Sequence, residues 1–203
     1  LERGLGIYAD WYALRSTEQF FRVGKTIHNA LQGAPGDIID KDKALYLQQN
    51  REIARNFTGE GYDIIMVHNH HLLPLHRSIP ARDTRWVWRC HLDTSSPNHS
   101  VWEFLKPFVE GYHGAIFTIN EFVPHDLKLA HIGIIAPAID PLSPKNKDLP
   151  LSVCMERVNA MGVDPERPIM LHSSRLDRWK DPLGIIRCYY LAKDSVAELQ
   201  LVI

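Results

Sequence analysis

The sequence predicts an α/β fold with parallel strands, organised as two successive units. Two observations carry this expectation. Short apolar runs of strand length alternate with stretches whose apolar residues recur at helical spacing, the pattern of βα units in a parallel sheet covered on both faces. A proline-rich polar segment at residues 137–150 then interrupts the alternation, which resumes beyond it.

The elements follow in order. Residues 6–14 are rich in β-formers and read as a strand. Ser16 starts a helix, with Gln19 three residues on in the capping-box position. Phe20, Val23, Ile27, Ala30 and Leu31 form its apolar stripe, and Gly33 with Pro35 ends it. A second helix is expected from Asp40 to about Phe57. Residues 64–67 and 85–90 are strands. A helix over 102–112, capped by Ser100, follows, and residues 115–118 and 132–135 are two further short strands. Beyond the interrupting segment come a helix at 151–161, a strand at 169–172, a polar turn at 173–180, a helix at 181–193 and a strand at 198–203. A second α/β unit begins there without being completed.

Composition narrows the class. With 23 Lys+Arg against 24 Asp+Glu the formal net charge is −1, so no general attraction to nucleic acid or anionic membranes is expected. Hydrophobic residues at 45% suffice for a core, and no apolar run approaches the roughly eighteen residues of a membrane-spanning helix. No signal peptide is visible, and the chain begins at Leu1 rather than Met, so a preceding segment is expected. Cys90, Cys154 and Cys188 are scattered, odd in number and form no C-x-x-C pair, which suits free thiols in a reducing cytosol.

In α/β sheets ligands sit beyond the carboxyl ends of strands. Three loops there carry unusual chemistry. In Ser173 to Lys180, Arg175 and Lys180 flank a turn that opens onto a helix start, where free N–H groups and the helix dipole favour an anion such as a diphosphate. The alternative is a solvated turn in which these cations pair with Asp177 or Asp181. The histidines His68, His70, His71, His76 and His91, with Asn69, allow a metal site, a polar site for sugar hydroxyls, or structural packing. Asp93 is either a carboxylate in such a site or a cap near Pro97 or Ser100. Trp11, Trp86, Trp88, Trp102 and Trp179 are either core or faces for sugar stacking. Cys90 beside His91 is no catalytic dyad, because strand neighbours point to opposite faces.

Several strings together resemble a known family. They are residues 20–33, the W-x-W-R-C-H-x-D string at 86–93 with its continuation to Asn98, residues 102–105, the I-D-P-L-S-x-K-N string at 139–146, and S-R-x-D-x-W-K at 174–180. The chain resembles the nucleotide-sugar-dependent trehalose synthases of the family-four retaining glycosyltransferases, a group that includes trehalose phosphorylases of related sequence. The resemblance implies a GT-B fold of two Rossmann-like domains. Residues 1–136 would be an acceptor-side domain lacking its N-terminal part, 137–150 the linker, and 151–203 the start of the nucleotide-sugar-binding domain. It further implies that Arg175 and Lys180, with Ser174 beside them, hold the donor diphosphate, and that His91 meets the donor sugar. His68, Asn69 and Asp93 fall on the acceptor side. Arg175, Lys180 and His91 are thus the expected catalytic residues. The family's usual string reads His-Asp where this chain has His68-Asn69, so no carboxylate stands at that position.

The implied reaction is transfer of glucose, with retention, from ADP- or UDP-glucose to glucose, giving trehalose. The alternatives are a trehalose phosphorylase and a carbohydrate- or nucleotide-binding module without catalysis. No tightly bound cofactor is expected; the nucleotide sugar is a substrate, and a divalent cation is left open but not required by the fold. Expected partners are small-molecule sugars and nucleotide sugars, with a homodimer left open, no nucleic acid and no membrane. The expected compartment is the cytoplasm. Family motifs of the first loop and of the second domain are not in this sequence, so the piece by itself is expected to be inactive.

Overall fold

A computed structural model describes residues 6–57, 59, 61–79 and 83–203. The chain divides into two compact units, one ending at Ala138 and the other spanning Ile139–Ile203.

The first unit is built on four parallel strands in the order β1-β2-β3-β4: Ile64–His68, Arg85–Arg89, Gly114–Phe117 and Ile132–Ile134. Helices α1 (Glu18–Leu31), α2 (Asp40–Arg55) and α3 (His99–Val109) supply the apolar partners. Phe20, Ile27, Tyr46, Leu105 and Val109 meet Val67, Trp86, Trp88 and Phe117 in one buried cluster. Trp88 and Phe117 meet edge to face at 5.6 Å. Burying side chains of this size stabilises by roughly 1.5–3 kcal/mol each. Burial alternates along β1, as a sheet requires. At this edge strand the expected cover on both faces is met on one face: Val67 is buried, while Ile64 and Met66 are exposed.

Local chemistry moved two helix starts. Thr17, not Ser16, caps α1, because its Oγ1 accepts the Phe20 N–H at 3.2 Å. The Ser16 hydroxyl donates to Gln49 Oε1 instead. Asn98, not Ser100, caps α3. Its Oδ1 accepts the Val101 N–H, and its amide donates to the Gly36 carbonyl at 3.0 Å, joining the turn after α1 to the loop after β2. Gly33 closes that junction with φ +80, where a Cβ would meet the Ser96 carbonyl oxygen at 2.9 Å.

Residues 6–17 form no strand. Side chains, not a backbone ladder, attach this segment beside β1: Tyr62 donates to Asp10 Oδ2, and the Tyr12 and Tyr62 hydroxyls lie 2.7 Å apart.

The second unit pairs β5 (Ile169–Leu171) with β6 (Gln200–Val202) in parallel, alongside helices α4 (Leu151–Ala160) and α5 (Pro182–Lys193). Among the described residues no helix is long and apolar enough to cross a membrane.

Candidate functional site

β1 and β2 run in register, Val67 opposite Trp88 and His68 opposite Arg89. Both strands therefore release their chains at the same edge of the sheet. His68 and His91 meet there, rings stacked at 5.1 Å and 15°, with His68 Nδ1 2.8 Å from His91 Nε2. Partial burial lowers both pKa values first, and the nearby Arg89 guanidinium lowers them further. His68 adds to the effect on His91. A pair so placed is neutral at neutral pH, one ring nitrogen donating and the other accepting.

The chain then turns sharply at Asn69, whose φ of 61° lies in the left-handed region that asparagine tolerates. Its N–H donates to the Arg89 carbonyl at 2.9 Å, and its own carbonyl accepts the Trp88 indole N–H at 2.8 Å. Its side-chain Oδ1 is buried without a hydrogen-bond partner among the described residues, a polar atom held ready at the strand end.

The rest of the histidine run goes inward. His70 is fully buried, and its Nε2 lies 2.8 Å from the Gly24 carbonyl oxygen, so that nitrogen carries the hydrogen. Burial, then neighbouring His71, pushes its pKa well down. The His71 ring packs on Phe20 and Phe21 and covers Gly24, where a Cβ would fall 2.6 Å from it. Tyr46 donates its hydroxyl to the His70 carbonyl, and Asn50 donates to the His71 carbonyl at 3.0 Å. His76 packs on Tyr112 at 4.5 Å. The histidines thus divide between one exposed pair and a packed turn. Among the described residues no group of three or more His, Cys, Asp or Glu could hold a metal ion.

The other predicted positions fall as follows. Asp93 caps neither Pro97 nor Ser100; its Oδ1 accepts from the Ser95 N–H at 3.0 Å and the Ser95 hydroxyl at 2.6 Å, closing its own turn. Cys90 is buried, and burial raises its thiol to about 11. Trp86, Trp88 and Trp102 are core residues, whereas Trp11 and Trp179 are exposed. The Trp11 ring lies 5.8 Å from that of His68.

In the second unit, Arg175 pairs with Asp177 at 3.4 Å on a largely exposed turn. Asp177 also accepts the Trp179 N–H at 3.1 Å, and Arg178 lies over the Trp179 ring. The Ser174 hydroxyl is 2.7 Å from His172 Nε2. Lys180 ends the short 3-10 turn Arg178–Lys180, and Asp181, at φ 46°, caps α5 through the Gly184 N–H. The Arg175–Asp177 pair realises part of the solvated-turn alternative. It leaves the guanidinium side chain 74% exposed.

One residue carries no weight in sequence reasoning: Arg89. It is buried beneath the His68–His91 pair, and its two guanidinium NH2 groups donate to the Phe117 and Ile135 carbonyls at 3.0 and 2.8 Å. A charged residue directly after the Trp86-Val87-Trp88 run, at the carboxyl end of the strand, was the signal available.

Comparison with known proteins adds the family context. Residues 1–124 match the family model described as the trehalose synthase N-terminal domain. Over its whole length the chain is 41% identical to a trehalose synthase of Rubrobacter xylanophilus, of which it covers 50%, and 38% identical to one of Thermococcus litoralis, of which it covers 49%. It is 25% identical to a trehalose phosphorylase of Grifola frondosa, over 91% of this chain and 30% of that one. The chain thus spans about half the length of the trehalose synthases it matches.

Proposed function

From the premise that this chain belongs to the trehalose synthase N-terminal domain family, we propose that the protein containing it is a retaining glycosyltransferase. It transfers glucose from a nucleotide diphosphate glucose to a glucose acceptor and forms trehalose. The single observation that carries this reading is the similarity to trehalose synthases, which extends through both units at 38–41% identity. In this reading the two units are parts of the two lobes of a GT-B enzyme.

The chemical task is departure of a nucleoside diphosphate from the anomeric carbon. Arg175 and Lys180 neutralise the charge that grows on the leaving group; the α5 start adds little, because Pro182 has no N–H and the Asp181 carboxylate takes the Gly184 N–H. The donor exchanges the exposed Arg175–Asp177 contact for a bidentate phosphate contact. Ser174 lies beside it. His91 and His68 present neutral imidazole edges to sugar hydroxyls, and the buried Asn69 Oδ1 adds an acceptor at the strand end. With asparagine there, no carboxylate base is needed: the departing phosphate oxygen takes the acceptor's hydroxyl proton as the new C–O bond forms on the same face. No tightly bound cofactor and no divalent cation enter the scheme. The reaction suits a cytoplasmic enzyme.

Single Arg175→Ala and Lys180→Ala variants of the full-length protein should each lower transfer by more than about tenfold, or about 1.4 kcal/mol of transition-state stabilisation. Unchanged turnover in a folded variant removes their role. The phosphorylase match makes inorganic phosphate the control substrate. Trehalose consumed with phosphate, but not with ADP or UDP, would replace the synthase reading, and nucleotide-sugar binding without turnover would reduce it to a binding module.

A further inference from the structure

The carboxyl end of the first unit's sheet contains a buried cation without an acid. Arg89 is 7% exposed, and among the described residues no carboxylate lies within ion-pair distance of it. Its partners are backbone carbonyls. Phe117 is the last residue of β3, and Ile135 follows β4, so one side chain ties the ends of three neighbouring strands. A buried charge is costly even when hydrogen-bonded, and an apolar residue of similar length would pack there at less cost. The arrangement calls for a role other than stability.

Its position supplies that role. Register partners in a parallel sheet share a face, and so do residues two apart along an extended strand. His68 is the register partner of Arg89, and His91 follows it by two. All three therefore gather on one side of the sheet end. We propose that Arg89 is a positioning residue: it locks the ends of β2, β3 and β4 and fixes the His68–His91 pair as one hydrogen-bonding unit for two adjacent hydroxyls of a sugar ring. The ligand class rests on the glycosyl-transfer reading above.

The pair's own chemistry explains why the hydroxyls are two. The 2.8 Å contact between His68 Nδ1 and His91 Nε2 uses one N–H and one lone pair. Each neutral imidazole has one of each. If His68 Nδ1 donates, His68 Nε2 is an acceptor and His91 Nδ1 a donor; if the contact runs the other way, the two roles exchange. In either tautomer the pair offers one outward donor and one outward acceptor. Adjacent sugar hydroxyls match that set. Protonating either ring converts one of the pair's two lone pairs into an N–H: on the accepting ring the lone pair used in the contact, on the donating ring the outward acceptor. Among the described residues the groups facing the pair are the Arg89 guanidinium from β2 and the uncharged Trp11 ring from the N-terminal segment; Asp93, beyond His91, is turned onto Ser95. Arg89 is thus the fixed charge that opposes protonation.

The test uses full-length protein with 15N-labelled histidine, assigned through His68→Gln and His91→Gln. Wild-type His68 and His91 should titrate below the ordinary imidazole value, with 15N shifts of one donor and one acceptor nitrogen per ring. In Arg89→Met both midpoints should rise, and the KM for sugar at neutral pH should rise about tenfold, as expected for lost ground-state contacts. Arg89→Lys, which keeps the charge, should return the midpoints toward wild type. Should Arg89→Met not fold, the wild-type shifts and Arg89→Lys decide. Ordinary wild-type midpoints, or a folded Arg89→Met with unchanged midpoints and KM, overturn the proposal. Absence of any glucosyl transfer in wild type would instead remove the enzyme reading, while the midpoint shift in Arg89→Met would still establish the coupling of Arg89 to the pair.

Discussion

Replacing Tyr46 by phenylalanine isolates the hydrogen bond that holds the turn after β1. Tyr46 is wholly buried in α2, and its ring stacks on Phe20 at 6.1 Å and 7°. Phenylalanine keeps that packing, so only the hydroxyl is lost. The hydroxyl donates to the His70 carbonyl, whose other backbone contact, from the Leu73 N–H, is long at 3.4 Å. Removing the donor leaves a poorly satisfied buried acceptor, at a cost of about 1–3 kcal/mol. With a urea m-value of about 1–3 kcal/mol/M for a domain of this kind, the midpoint should fall by roughly 1 M. Tryptophan fluorescence is the appropriate probe, because Trp86, Trp88 and Trp102 are all buried in the first unit. An unchanged midpoint at unchanged m would show that the carbonyl is satisfied without Tyr46, and the reasoning about this turn would fail.

Acid should destabilise the first unit. Burial holds the pKa of His70, His71 and His76 below the ordinary value of 6.5. Between those folded values and 6.5 the unfolded chain binds more protons, so their contribution is complete above 6.5 and is lost as pH falls below it. Thermal scans should show a Tm that declines once the pH passes below 6.5, more weakly in His70→Gln; a Tm unaffected by acid would contradict this account. The three thiols should react in order of exposure. Cys188 is exposed, Cys154 is partly covered and Cys90 is buried with its thiol raised to about 11. A thiol reagent should therefore modify Cys90 only after unfolding; its modification in native protein would place it wrongly.

The pattern of residues by itself determined the βα alternation, the parallel sheet and the approximate place of every described strand, though it also placed a strand at 6–14 where none forms. These follow from the spacing of apolar residues, which is local information. It also marked the strand-end loops, because a polar cluster such as His68-Asn69-His70-His71 has no business in a strand core. Tertiary structure alone decided what that cluster does. Four adjacent polar residues divide into a pair member (His68), an orphaned acceptor (Asn69) and two packed rings (His70 and His71), because the φ of Asn69 turns the chain and Gly24 leaves room for a ring above α1. The meeting of His68 with His91, and of both with Arg89, depends on strand register across chain-distant residues. No periodicity records such register, since it is set only when the sheet assembles.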